Sequence, residues 1–95
     1  MIEVTIRSDR IQMSGHAQRK STDGIDRVCA AISALTCNLI NSLTDLSEDC
    51  IQIEIESGMT MIQWESLSDK GKLLVDSWHL GLTEINKEYG CIEFQ

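Results

Sequence analysis

The hydrophobic pattern of this chain switches back and forth between a period of two and a period near 3.6. No other feature constrains the fold as tightly, because a segment patterned for a strand cannot bury one face as a helix, nor the reverse. "IEVTIR" (2–7) alternates strictly, with Ile2, Val4 and Ile6 on one side and Glu3, Thr5 and Arg7 on the other. "RIQMS" (10–14) repeats the pattern with Ile11 and Met13, and Ser8-Asp9 between the two suits a tight turn. Gly15 closes this second strand. Residues 17–24, "AQRKSTDG", carry no period and read as an exposed loop. The period then becomes helical. Ile25, Val28, Ile32, Leu35, Leu39 and Leu43 fall on one stripe, with Asp23 or Thr22 as the expected cap.

The second half repeats the scheme. "CIQIEIESGMTMIQWES" (50–66) reads as a hairpin turning at Ser57-Gly58, with Ile51, Ile53 and Ile55 on one face. Met59 and Met61 make the other face of the return strand apolar too, a surface for packing, a peptide or a second copy. In "SDKGKLLVDSWHLGLTEINKEYG" (68–90) Leu74, Trp78, Leu82 and Ile85 sit at helical spacing, continuing Leu67, with Ser68 as cap and Gly90 as stop. "CIEF" (91–94) is a last short strand. The order β-β-α-β-β-α-β implies an α+β fold of two layers: one mainly antiparallel sheet with two helices on one face. A length of 95 residues suits a single domain, 1–95, around one core.

Charge and composition then exclude several function classes. A net charge of −7 repels phosphate backbones, so direct nucleic-acid binding is not expected. "MIEVTIRSDR" lacks the cationic start and apolar run of a signal peptide, and no segment reaches the ~20 apolar residues of a membrane span. The expected location is cytoplasmic. The cysteines at 29, 37, 50 and 91 match no zinc spacing. Cys29 and Cys37 lie about 12 Å apart along one helix, too far to bridge. Free thiols are expected, with no metal and no cofactor.

One pair of residues invites chemistry. Cys29 stands near the start of the first helix, where the dipole favours thiolate. His16, at the end of a strand, is placed to take the thiol proton and later give it to a leaving group. The backbone N–H groups of Cys29 and Ala30 are the expected oxyanion donors. On a helical wheel Cys29 lies about 80° from the centre of the apolar stripe, a border position shared with Asp26 and Ser33. Asp26 either orients His16 or the loop, or compensates the helix N-terminus; beside a thiol it also disfavours thiolate. Ser33 is expected to bond a carbonyl of its own helix. His79 reads as a surface residue of the second helix, and Cys37, Cys50 and Cys91 as packing residues. A free cysteine is commonly just a small buried hydrophobe, so the pattern alone leaves catalysis open rather than assigned.

"GHA" at 15–17, followed by "GIDRVCAAISAL" at 24–35, resembles the ribosomal-processing cysteine protease family, Prp. The likeness spans the whole chain in length and element order and is sharp in those two segments. The resemblance implies an α+β fold and a catalytic dyad of His16 and Cys29. It makes Gly15, Gly24, Asp26 and Ser33 the further motif positions. It also implies a homodimer. The implied reaction is removal of a short N-terminal leader, after an aromatic residue, from the precursor of a bacterial large-subunit ribosomal protein. The loop 17–24 is then expected to gate the site and order around substrate. The chain departs from the family pattern in that loop, which is slightly longer and reads "QRKST", and at Arg27, where an aliphatic residue is common. Two other readings keep the motif without proteolysis: a non-catalytic ribosome-associated binding module, and a redox-responsive protein built on the Cys29 thiol.

Overall fold

A computed structural model describes residues 1–18 and 22–95. The alternating segments pair as their periods require. β1 (Ile2–Ile6) and β2 (Arg10–Gly15) form a hairpin around Ser8-Asp9, closed by the Arg7 N–H donating to the Arg10 carbonyl at 2.8 Å. After α1 (Arg27–Asp45), β3 (Gln52–Glu56) and β4 (Met59–Gln63) form the second hairpin through Ser57-Gly58. Gly58 takes φ 76°, the left-handed conformation a two-residue turn demands. α2 (Asp69–Tyr89) then carries the chain back to β5 (Ile92–Phe94), which pairs parallel to β1. β2 pairs antiparallel with β4, so the sheet order is β3-β4-β2-β1-β5. The fold is α+β with one mixed, mainly antiparallel sheet.

Ile2, Val4, Ile11, Ile62 and Ile92 of the sheet meet Val28, Ile32, Leu39 and Leu43 of α1 and Val75, Trp78 and Leu82 of α2 in one buried cluster. Truncating Leu82, which is fully buried, to Ala costs about 2–5 kcal/mol at a site of this kind. The buried polar groups between the helices are satisfied. Trp78 Nε1 donates to Thr36 Oγ1 at 3.1 Å, and Thr36 Oγ1 donates to the Ile32 carbonyl at 2.8 Å.

Several expectations are corrected by local competition. α1 begins at Arg27, capped by Asp26 and not by Asp23 or Thr22. Asp23 is engaged elsewhere: it accepts from the Ile25 N–H at 3.0 Å and pairs with the Arg27 guanidinium at 2.6 Å. Ile25 therefore lies before the helix and is 52% exposed rather than leading the core stripe. Ile53 and Ile55 are 43% and 67% exposed, because β3 is an edge strand beyond the cover of the helices. Cys37 and Cys50 are exposed rather than packed, while Cys91 is fully buried. The expected gating loop spans 17–24, and its centre, 19–21, lies outside the described residues.

The start of α2 is held from a distance. Ser68 caps it, its Oγ accepting from the Gly71 N–H at 3.1 Å. Ser68 donates its own N–H and hydroxyl to the Asp49 carboxylate, both at 2.9 Å, and Ser47 donates its hydroxyl at 2.6 Å. The Ser47 bond, then the Ser68 amide, hold the Asp49 carboxyl below its ordinary value of 3.8 against an opposing effect of burial. Gly71 is required there, since a Cβ would meet the Asp49 carboxylate.

Candidate active site

The histidine is placed by two glycines. Gly15 ends β2 at φ 97°, and a Cβ on it would collide with the Met1 carbonyl. Its N–H donates to the Gly58 carbonyl at 2.9 Å, which ties the strand end to the turn between β3 and β4. His16 follows, exposed, with its carbonyl accepting from the Met1 amino group at 2.7 Å. Gly58 lies directly beside the imidazole: a Cβ there would sit 3.6 Å from His16 Nε2.

The cysteine is placed by the cap. Cys29 is the third residue of α1, half-buried, and its N–H donates to Asp26 Oδ1 at 2.8 Å. His16 and Cys29 line one cleft of about 180 Å³. Ile2, Met13, Ile32 and Met59 give that cleft an apolar wall, and Ser33, Glu56 and Thr60 give it polar groups. The Cys29 thiol stands in the first turn of α1, beside the Asp26 carboxylate that caps it.

The motif residues separate into those that meet and those that support. Gly15, His16, Cys29 and Ser33 share the cleft. Ser33 makes no back-bond to its helix; Thr36 does so instead, which leaves the Ser33 hydroxyl among the groups lining the cleft. Asp26 caps the helix through the Cys29 N–H. Gly24, at φ 81°, turns the chain into α1. The oxyanion expectation needs revision. The Cys29 N–H is given to the Asp26 carboxylate, and the Ala30 N–H donates to the Asp26 carbonyl at 3.1 Å. An oxyanion at this point competes with the cap. His79 is exposed and stacks edge-on against Phe94, ring centroids 4.9 Å apart.

Glu56, Gly58 and Thr60 of the cleft were not flagged by sequence reasoning. Their signal is the pairing Ser14↔Met59, which sets the second turn beside the end of β2. A larger depression, about 830 Å³, lies at the opposite end of the strands. It is lined by Asp9, Glu48, Asp49, Cys50 and Glu65 and by neither His16 nor Cys29. Among the described residues no three His, Cys, Asp or Glu side chains converge on a metal position, and no helix is long and apolar enough to cross a membrane.

Residues 1–92 match the family model of the cysteine protease Prp. The chain belongs to the Prp family. Solved structures agree on the fold. One is Prp of S. aureus, an essential ribosomal processing protease, with a covalently linked product peptide: TM-score 0.85 and 24% identity, over 99% of this chain and 95% of that one. The same S. aureus protease with a substrate peptide gives TM-score 0.77 and 23% identity, over 100% and 98%. SMU.848 from Streptococcus mutans gives TM-score 0.78 and 26% identity, over 100% and 99%. No curated protein matches this chain significantly. Across the Prp match the family segment covers every element that builds the cleft, from β1 to the start of β5.

Proposed function

We propose that this chain, as one domain spanning 1–95, is a cysteine endopeptidase working through a His16–Cys29 dyad. The observation that carries the reading is the shared cleft: two residues from a strand end and a helix start line one small opening with an apolar wall. His16 takes the thiol proton, and Cys29 Sγ attacks the scissile carbonyl carbon. The positive end of α1 stabilises the oxyanion, since the Cys29 and Ala30 amides already serve Asp26. Collapse breaks the C–N bond, and His16 returns its proton to the departing amine. Water then attacks the thioester, releases the acid and regenerates the thiol. The wall of Ile2, Met13, Ile32 and Met59 suits an aromatic side chain at the cut.

The substrate in this reading is the precursor of a bacterial large-subunit ribosomal protein, cut at the end of its N-terminal leader in the cytoplasm. It engages no nucleic acid directly. The protein works as a homodimer, for which the uncovered edge of β3 with Ile53 and Ile55 supplies an apolar surface. The test is cleavage of that precursor, read by intact mass, with wild type, Cys29→Ala and His16→Ala. A single cut by wild type that both substitutions abolish supports the reading. An intact precursor in the presence of folded, reduced wild type overturns it in favour of a binding module.

A further inference from the structure

One strip of the helix-side sheet face is apolar without being covered. The register sets Ile55 opposite Thr60 and Ile53 opposite Ile62, and next to those stand Met13 and Ile11 of β2. Residues directly opposite one another share a sheet face, and Ile62 and Ile11 are buried in the core with α1. Ile53 and Ile55 therefore point to the same side as α1 and Cys29. The cover of α1 extends to Thr60, which lines the cleft with Ile32 and Ser33, and leaves Ile53 and Ile55 exposed. Along the helix, Cys37 and Ile40 follow Ser33 at i+4 and i+7, on its side of α1. Cys37 is exposed and Ile40 half-buried. Strand and helix thus bound an open trough that begins at the cleft and runs away from Cys29. The residues that bound it are uncharged, in a chain with a net charge of −7 and 24% charged residues. From Cys29 to Ile40 the wall runs about 16 Å at 1.5 Å per residue, the span of about five residues of extended chain.

We propose that this trough is a subsite for the substrate chain. It holds an extended segment on one side of the scissile bond, and Ile55 and Ile53 receive two aliphatic side chains spaced two residues apart. This rests on the protease reading above. Alternate residues of a strand stand on one face about 7 Å apart, and an extended peptide repeats at the same distance, so the two lie along each other in register. Continuity with the cleft names the occupant: Ile55 is the cross-strand neighbour of Thr60, about 5 Å away between Cα atoms, and Thr60 shares the cleft with Cys29. The trough uses the helix-side face of β3, and the backbone edge of the strand stays free for a second copy. Two partly exposed isoleucines contribute about tenfold in kcat/KM.

The experiment compares truncated peptides of the leader–mature junction with peptides extended by about five residues on either side of the cut, with Leu or Ser at alternate positions of the extension. The ratio of kcat/KM for extended over truncated peptide is taken within wild type and within the double variant Ile53→Thr, Ile55→Thr, so that overall activity cancels. Threonine keeps the β-branching that an edge strand favours. The expected ratio in wild type is about tenfold on one side of the cut, carried by KM and lost when Ser replaces Leu. It falls toward one in the double variant. A second readout needs no catalysis. In Cys29→Ala, the extended peptide should slow iodoacetamide alkylation of Cys37 on the trough wall and leave Cys50, in the depression at the opposite end, at its own rate. Equal ratios in wild type and double variant, or no shielding of Cys37, overturn the trough and leave the protease reading standing. A change of oligomeric state in the double variant at an unchanged ratio gives the isoleucines to a second copy and also overturns it. Wild type that cuts no peptide while Cys37 is shielded overturns the protease reading alone; no cut and no shielding overturn both.

Discussion

The two helices of this protein begin in different ways. α2 starts at Ser68, and Ser68 is itself gripped by Asp49, nineteen residues earlier, with Ser47 and Gly71 completing the arrangement. α1 starts at Asp26, and the bonds described around it are local: Asp26 to Cys29, Asp23 to Ile25 and to Arg27. Both ends satisfy an orphan helix N–H with a side-chain oxygen, as a helix requires. The difference lies in what faces the helix end. At α2 a carboxylate from another part of the chain fills the space, and the arrangement is structural. At α1 the space is a cleft, and a thiol stands in it with a histidine across from it. A helix start is committed to stability where the fold closes over it and is available for chemistry where the fold leaves it open.

The sharpest way to break this comparison is to remove a group from each end. Cys29→Ala is expected to reduce peptide cleavage to background while its thermal melt stays in place. Gly71→Ala drives a Cβ into the Asp49 carboxylate, and is expected to cost about 1–3 kcal/mol of stability in urea unfolding. Its kcat/KM per folded molecule should stay near wild type. If Gly71→Ala abolished cleavage in protein that remains folded, the two ends would not be separable.

Asp26 is where the two roles overlap, so its variants sharpen the comparison. Asp26→Ala loses the cap and is expected to cost about 0.5–2 kcal/mol. Asp26→Asn keeps a capping oxygen and removes the charge beneath the thiol. Stability should then hold, while the acid limb of the pH–rate profile moves to lower pH. An unchanged profile would mean that the Asp26 charge does not reach the thiol.

The smallest effect concerns acid. The Asp49 carboxyl titrates below 3.8 in the folded protein, so its bonds contribute stability at pH above that value. That contribution is lost as pH falls through the lowered folded value. Wild type should therefore lose stability more steeply below pH 3.8 than Asp49→Asn, as read from urea midpoints on either side of that pH. Parallel curves would remove the electrostatic account of the α2 cap.

The same contrast explains how much was legible in the chain itself. Strand and helix periods placed every element, because each buried face repeats with its own spacing, as in Ile2-Val4-Ile6 and Val28-Ile32-Leu39. Ser68 and Gly90 announced α2 by type and position. The expected caps of α1, Thr22 and Asp23, lie too early, because Asp23 is taken up by the Ile25 N–H and the Arg27 guanidinium and the cap falls to Asp26. Ile53 and Ile55 looked internal because a period reports which face a side chain shares, not whether a helix reaches over it. His16 and Cys29 were legible as a motif through family likeness. Glu56, Gly58 and Thr60 were not, since they enter the cleft through the pairing of β2 with β4, a contact between distant segments that no local pattern encodes.

The central claim is that His16 and Cys29 act as one chemical unit, and it can be tested without a substrate. Exposed Cys37 and Cys50 are internal standards in the same molecule. The measurement is the rate of iodoacetamide alkylation at each cysteine, followed by peptide mapping, in wild type and His16→Ala. Cys29 should react fastest although it is less exposed than the two standards, and should slow in His16→Ala while Cys37 and Cys50 keep their rates. Cys29 reacting no faster than the exposed pair, or reacting equally fast without the histidine, would contradict the account.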